Sequence, residues 1–258
     1  NSSSPLNNKD ILLPNNFKYY TKHLNKNQFN SILLNCTVNL MKILYQENKD
    51  SSIDEKELKF FVVEILRRSK TSIQSLQLTC FYLVKLIKMN IQDLKTDPLF
   101  KDAKKLFLGL IIIASKFNQD YNYSFKSWLK ICGVKEDDNT GTFNLKILKS
   151  IEFKCLTLLN YDIYLNDLKY ENWCNILIIF GYDFIKCQLV DNSENNEIIW
   201  ESNQLKVSKK LDKWSNFFAH NFKLTNLNLI KINFNNYYLN QLGTKILIKD
   251  QAVPSLFS

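Results

Sequence analysis

The sequence predicts an all-α protein, a compact bundle of helices wrapped around one central apolar helix. The segment Lys104–Asp120 is apolar on every side from Leu106 to Ala114, and only neighbours on all sides can shield such a helix from water. Apolar residues recur at helical spacing through most of the chain. Hydrophobic residues make up 45% of the 258 residues, which is enough to bury a sizeable core.

The pattern divides the chain into four parts. Residues 1–25 are polar, Asn-rich and aperiodic, and we expect a flexible arm. Residues 26–50 are predicted to form one long amphipathic N-terminal helix. Residues 51–165 hold five helices joined by short connections, and residues 166–258 form a C-terminal helical extension.

Helix-start signals support the first helices of residues 51–165. Ser52 and Thr71 are each followed three residues later by Glu or Gln, so we expect both to act as N-caps in capping boxes. Pro98 lies in the connection that precedes the central apolar helix, which is the third of the five.

The later helices follow from their apolar stripes. We predict a short helix over 123–131, stopped by Gly133 and an acidic loop, and another over about 143–159. Stripes at 173–187 and 207–222 predict two more, with a polar loop at 191–197 between them. The tail from Asn226 combines a two-residue apolar alternation with runs of Asn, so its secondary structure stays open.

Several classes of protein are excluded or disfavoured. The longest apolar run is shorter than the roughly 20 residues that a membrane helix needs. The start, NSSSPLNNKD, has no charged or apolar leader region and no initiator Met, so we expect a trimmed start and no secretion.

We expect no cofactor, no metal and no catalytic activity. The five glycines form no phosphate-binding loop, and His23 and His220 lie far apart with no nucleophile pattern nearby. The six cysteines are widely separated with no metal-ligand spacing, so we interpret them as small core residues: Cys36, Cys80, Cys132, Cys155, Cys174 and Cys187.

The formal net charge of +9 invites a nucleic-acid interpretation. The lysines are spread along the chain, however, and the arginines cluster only at Arg67 and Arg68. We therefore expect no nucleic-acid partner, although a diffuse positive field favours encounter with an acidic one.

Two charges break the apolar pattern. On a helical projection, Glu152 falls inside the stripe of its own helix, and a buried carboxylate must be paired, protonated or placed at the rim of a binding surface. Lys116 is the natural partner, because it leaves the central helix on the side where Gly109 permits close approach. Two plainer alternatives stay open. In one, Lys116 only complements the dipole at the end of its helix and extends into solvent; in the other, a slight rotation of the second helix exposes Glu152 to solvent.

Here the residues resemble a known family. The segment FLGLIIIASKFNQDYNYSFKSWLKICGV is similar to the third and fourth helices of a cyclin box, and ILKSIEFKCLTLLNYDIYLN is similar to the fifth. The loop after Phe117 most resembles fungal cyclins of the Pho80-like (Pcl) class, and within that class the amino-acid-starvation member. The likeness implies a five-helix cyclin box around the central apolar helix, with an N-terminal helix and extra C-terminal helices.

The resemblance implies a regulatory subunit that binds and activates a cyclin-dependent protein kinase and directs it to substrates such as transcription factors. In the family, the residues matching Lys116 and Glu152 together contact the regulatory αC helix of the kinase. Asp120 matches an acid that meets a kinase arginine near the activation segment, and an ordinary turn Asp is the open alternative. The predicted kinase-binding residues are Lys116, Glu152, Ile112, Phe117, Asp120, Leu148 and Cys155, of which Ile112, Leu148 and Cys155 form the apolar bed.

The resemblance further implies roles in nutrient signalling and the cell cycle, in nucleus and cytoplasm. From the lengths of the apolar runs we expect no membrane partner. Three departures qualify it. Tyr82–Lys85 replaces the Tyr-Leu-Asp-Arg motif, Lys149 lies near the position of a common Asn, and LKFFVVEIL replaces the Met-Arg-x-x-Leu substrate-docking patch. Two rival functions remain: a cyclin-fold nucleic-acid-binding transcription factor core, and a helical adaptor without kinase function.

Overall fold

The computed structural model describes residues 26–46, 54–89, 94, 97–134, 143–190 and 197–222. These residues form helices and no strand, as the sequence predicts. The described helices are α1 (Lys26–Tyr45), α2 (Glu55–Ser69), α3 (Ile73–Met89), α4 (Ala103–Asn118), α5 (Phe125–Ile131), α6 (Leu145–Leu158), α7 (Asp167–Val190) and α8 (Glu197–Asn216), and a π-helical turn (Phe217–Asn221) continues α8.

The caps of α2 and α3 differ from the prediction. Asp54 caps α2, because its carboxylate accepts hydrogen bonds from the backbone amides of Lys56 and Glu57. Ser72, rather than Thr71, accepts from the backbone amide of Ser75 at the start of α3, at 3.2 Å. Thr71 instead shares a short hydrogen bond with the Ser69 hydroxyl. At the start of α3 the chain offers two adjacent hydroxyl oxygens, and the one next to the helix is used.

Helix α4 is the central helix, as predicted. Its residues from Leu106 to Ser115 are all buried. It packs against α3 on one side, α6 on another and α2 on a third. An apolar helix without a polar face is stable here because each side meets a neighbour.

Helix α1 is a second fully enclosed helix, which corrects its predicted amphipathic character. Residues from Phe29 to Tyr45 are buried or half-buried, even the polar Asn30, Thr37 and Asn39. Helices α2, α3, α7 and α8 surround α1. The physical reason is that the buried polar residues of α1 are short and uncharged; the Thr37 hydroxyl, for example, donates to the carbonyl of Leu33.

Two glycines lie at tight helix crossings. A Cβ atom on Gly109 of α4 would lie 2.6 Å from Cγ2 of Ile151 on α6. A Cβ atom on Gly181 of α7 would lie 2.8 Å from the sulfur of Cys36 on α1. Neither crossing has room for a side chain, so each glycine lets two backbones approach.

The C-terminal helices close the core with aromatic rings. Phe180 of α7 contacts Trp214 of α8 and Phe218 of the π-helical turn, with ring centroids 5.1 and 5.5 Å apart. The indole nitrogen of Trp173 donates to the carbonyl of Gln77 on α3, at 2.7 Å. The extension therefore packs directly on α1 and α3.

The described cysteines confirm the core interpretation. Cys36, Cys80, Cys155 and Cys174 are buried, Cys132 is half-buried, and all five are free. Burial raises the pKa of Cys80 and of Cys132 to about 12, so these thiols stay protonated and unreactive at neutral pH.

None of the described helices is both long and apolar enough to cross a membrane.

Some predictions fall outside the described residues. The predictions that lie outside the described part are the arm at 1–25, the cap Ser52, most of the acidic loop after Gly133, the loop at 191–196, the side chain of Cys187 and the tail from Asn226.

Candidate functional site

Lys116 and Glu152 meet, as the sequence predicts. Lys116 lies in the last turn of α4, and Glu152 lies in the middle of α6. The lysine Nζ is 2.6 Å from Oε1 of Glu152, and the two side chains are 36% and 16% exposed. The pair therefore lies at the rim of the bundle, with Glu152 largely shielded and Lys116 facing solvent.

The crossing at Gly109 explains why the pair can form. Gly109 lies seven residues before Lys116, two turns down the same side of α4, and rests against Ile151 and Cys155 of α6. With the backbones this close, the lysine reaches the carboxylate without leaving its helix. Burial, together with the nearby Glu152 charge, raises the pKa of the Cys155 thiol well above its ordinary value, so this thiol stays neutral beside the pair.

An aromatic ring lies against the lysine. The Nζ atom of Lys116 is 4.4 Å from the ring centroid of Phe125, the first residue of α5. The preceding residue, Ser124, caps α5 by accepting from the backbone amide of Ser127. Phe125 was not among the predicted site residues, because a phenylalanine at a helix start looks like any other core residue.

Apolar side chains lie next to both charged residues along the chain. Phe117 follows Lys116 and is 42% exposed, and its ring packs edge-to-face on Tyr164, which is 68% exposed, with centroids 6.4 Å apart. Leu156 lies one turn beyond Glu152 on the same face of α6 and is half-buried. We call Phe117, Leu156 and Tyr164 the apolar rim. Only Phe117 of the three was predicted.

Helix α3 holds the segment that carries Tyr164. After α6 the chain turns through two consecutive residues of positive φ, Asn160 (51°) and Tyr161 (57°). The Tyr82 hydroxyl donates to the carbonyl of Ile163 at 3.0 Å, and Nζ of Lys85 lies 2.5 Å from Oδ2 of Asp162. Tyr82 and Lys85, whose motif departs from the cyclin pattern, thus fix this turn.

Three of the predicted site residues are placed in the interior, which corrects their predicted role. Ile112, Leu148 and Cys155 are fully buried between helices of this chain. A side chain with no exposed surface cannot form the bed for another molecule's helix. Their stripe is apolar because it packs α4 on α6, and periodicity alone does not separate that use from an open surface.

Asp120 lies near the pair in sequence but in a different setting. It is exposed in the loop after α4, beside an open cleft of about 420 Å³. The cleft is lined by Ser72, Gln74, Asn118, Gln119, Asp120 and Tyr121. Its lining is rich in hydroxyl and amide groups, with Asp120 as the charged member.

Comparison with known proteins finds a cyclin. No family model matches the chain. No solved structure matches it. Among curated proteins, the chain is 32% identical over 105 residues to PHO85 cyclin-5 of Saccharomyces cerevisiae, and the matched region covers 40% of this chain and 42% of that protein. The chain thus matches less than half the length of this curated relative, and the similarity supports the resemblance to cyclins.

Proposed function

We propose that this chain is a cyclin, a regulatory and non-catalytic subunit that binds a cyclin-dependent protein kinase, activates it and directs it to substrates such as transcription factors. The observation that carries the proposal is the ion pair of Lys116 and Glu152 at a half-exposed rim, next to the exposed side chains of Phe117 and Tyr164. The partial similarity to a protein named PHO85 cyclin-5 supports a kinase of the PHO85 type as the partner.

In this proposal residues 51–165 form the five-helix cyclin box. Helices α2 to α6 supply the five helices, and α4 lies among them as the enclosed member. The resemblance of the loop after Phe117 favours the Pho80-like class and its amino-acid-starvation member. Nutrient signalling, a role in the cell cycle, and a location in nucleus and cytoplasm belong to the same proposal.

The chain acts by shifting a kinase population. An isolated kinase of this type holds its αC helix and activation segment in unproductive positions, so its own Lys–Glu ion pair is not made. A partner that binds the active arrangement more tightly raises the population of that arrangement. This chain then needs a shaped surface and no catalytic group.

The apolar rim takes the role first given to the buried residues. Phe117 and Tyr164 already pack on each other, so their exposed faces can receive αC with little loss of side-chain freedom. Lys116 and Glu152 border this surface and offer a donor and an acceptor that set the register of the bound helix.

Asp120 provides a second contact in the proposal. Its carboxylate is exposed beside a cleft of about 420 Å³. A kinase arginine entering the cleft would meet Asp120 as well as the oxygens of Ser72 and Gln119, which suit the several donors of a guanidinium. The carboxylate would then take the place of a phosphate near the activation segment.

Local charge pairing speaks against the nucleic-acid rival. Several lysines on the described helices have a carboxylate partner within 3 Å: Lys42 with Glu55, Lys85 with Asp162, Lys104 with Glu57, and Lys154 with Asp97. Paired cations contribute less to phosphate binding than a free basic stripe does. DNA binding that weakens steeply with salt would favour the rival.

Charge reversal tests the proposal. We expect K116E and E152K each to weaken binding to the purified PHO85 catalytic subunit of Saccharomyces cerevisiae by about 2–5 kcal/mol, because each leaves a partner group unpaired or repelled. Titration calorimetry gives the affinity, kinase assays with and without the chain give activation, and circular dichroism checks that helical content is unchanged.

The chain offers a matched control. Lys104 and Glu57 form another Lys–Glu pair between two helices, 2.7 Å apart, at the opposite end of α4 from Lys116. The variant K104E should leave kinase affinity within about twofold of the parent, a change of less than 0.5 kcal/mol by the usual conversion. Equal affinities for all three variants, or a chain that does not stimulate the kinase, would contradict the proposal.

A further inference from the structure

The ammonium group of Lys116 has two neighbours of different chemistry. Its Nζ lies 2.6 Å from Oε1 of Glu152 and 4.4 Å from the ring centroid of Phe125. A cation this close to the face of an aromatic ring is attracted by the ring's negative face. The lysine is therefore held from two sides, by α6 and by α5.

The fold holds the ring of Phe125 in place. Phe125 is half-buried, packs on the hydrophobic core and begins a helix that Ser124 caps. Asn122, in the connection just before, donates to the backbone carbonyl of Lys116, at 3.5 Å. The start of α5 is thus tied to the end of α4, and the position of the ring follows from the fold.

The lysine needs such support. Its side chain has four methylene groups and is flexible. An ion pair with one member more than a third exposed is screened by solvent, and its formation costs side-chain entropy. Without the ring, the ammonium group would sample positions away from Glu152. A fixed ring 4.4 Å from the ammonium group removes many of those positions.

We propose that Phe125 is a positioning residue: its ring holds the Lys116 ammonium against Glu152, so that both charges are in place before a partner arrives. This inference rests on the proposed function for its consequence in binding. It extends the kinase-binding site to α5, none of whose residues had been assigned to it.

Nuclear magnetic resonance of the free chain tests the positioning directly. A proton above an aromatic ring is shifted upfield, so the ε-methylene protons of Lys116 should resonate upfield of those of other lysines. We expect F125L to abolish the shift and F125Y, which keeps the ring, to retain it. The control F61L removes another half-buried ring, one that stacks on Phe143 instead of a cation, and should leave the Lys116 signal unchanged.

Kinase affinity tests the consequence. We expect F125L to weaken binding to the PHO85 catalytic subunit by about 2- to 5-fold, F125Y to restore it, and F125L to have no further effect in a K116M background, where no ammonium remains. An equal loss in that background would mean that Phe125 acts by packing alone, and an unchanged Lys116 signal in F125L would overturn the positioning. If the parent chain does not bind the kinase, the proposed function fails, and the spectrum of the free chain still decides the role of Phe125.

Discussion

At the scale of single residues, the proposed function makes the ion pair of Lys116 and Glu152 more important for recognition than for stability. Half-exposed pairs contribute about 0–1 kcal/mol to folding, because solvent screens them and two side chains must be ordered. A partner that covers the pair removes the solvent screening, so each charge then discriminates more strongly between matching and mismatched groups on the partner. The same two groups can thus be nearly neutral in the free chain and decisive in a complex.

A left-handed residue gives a test of local strain. Lys70, the C-cap of α2, has φ 48° and ψ 38°, a conformation that glycine adopts without cost. We expect K70G to raise the free energy of unfolding by up to about 1 kcal/mol, measured by urea denaturation.

The control for this variant lies on the same helix. Lys59 is exposed in the interior of α2, where glycine only adds backbone freedom to the unfolded chain. K59G should lower the free energy of unfolding by about 0.5–1 kcal/mol. Equal losses in K70G and K59G would show that Lys70 is not strained.

Sequence reasoning found the charged pair because both residues break an apolar stripe. Glu152 is enclosed by buried neighbours on its own helix, and such a charge demands an explanation. Phe125 and Tyr164 break no pattern, since aromatic residues fit core and surface alike. Ile112 was predicted to lie at the surface because its burial depends on tertiary packing, which the periodicity of a single helix does not encode.

At the scale of elements, two tight helix crossings occur at glycines, and the one at Gly109 positions the candidate site. The crossing of α4 and α6 uses Gly109 against an Ile–Cys pair one turn apart, Ile151 and Cys155. The crossing of α7 and α1 uses Gly181 against Ile32 and Cys36, which have the same spacing. In both, a small residue meets a branched one and a sulfur, and the helices pack without a void.

Filling the first crossing should separate the charged pair. In G109A the new Cβ would lie 2.6 Å from Ile151, so the helices must move apart. We expect a net loss of about 1–3 kcal/mol in the free energy of unfolding by urea denaturation, since overpacking outweighs the gain in helix propensity.

A second substitution can relieve that crowding. The sulfur of Cys155 is the other atom that the new Cβ meets, so C155A should recover part of the loss when it is combined with G109A. A G109A variant as stable as the parent would show that the crossing has room to spare.

Helix positions were predictable from the 3.6-residue period, and their surroundings were not. The periodicity located α4 and α6 to within a few residues, because their apolar faces are continuous. For α1 the same periodicity suggested an amphipathic helix with one solvent-exposed face. Its residues 27–41 contain no charge, which was the available sign that both faces are covered.

At the scale of the whole molecule, one hydrophobic cluster joins the N-terminal helix, the central helices and the C-terminal extension. It runs from Phe29 of α1 to Phe222 after the π-helical turn. Helix α1 lies between α3 and α7, so the two ends of the described chain meet in the core. The extension is a structural part of the bundle.

Shortening the chain tests this arrangement. A chain ending at residue 165 lacks α7 and α8, which cover α1, and would expose buried side chains such as Ile32 and Cys36. We expect loss of cooperative thermal unfolding and strong binding of a hydrophobic dye, as in loosely packed states. A sharp unfolding transition in the shortened chain would show instead that the first helices form a core of their own.

The packing of the C-terminal helices on α1 could not be predicted from the sequence, because an apolar stripe does not show which other helix it packs against. The stripe at Trp173–Phe184 predicted a helix correctly, yet nothing in its spacing shows that Gly181 meets α1. Long-range pairing depends on shape complementarity in three dimensions.

The most direct test of the central claim is the kinase affinity of the charge-swapped variant K116E/E152K. The swap rebuilds an internal pair of opposite charges, so its free energy of unfolding should stay within about 1 kcal/mol of the parent's. Our account predicts that affinity for the kinase, measured by titration calorimetry, stays at least about tenfold weaker, because each charge faces a partner group of fixed sign. Full recovery of affinity in the swapped chain would contradict it, since the pair would then serve only to join α4 to α6.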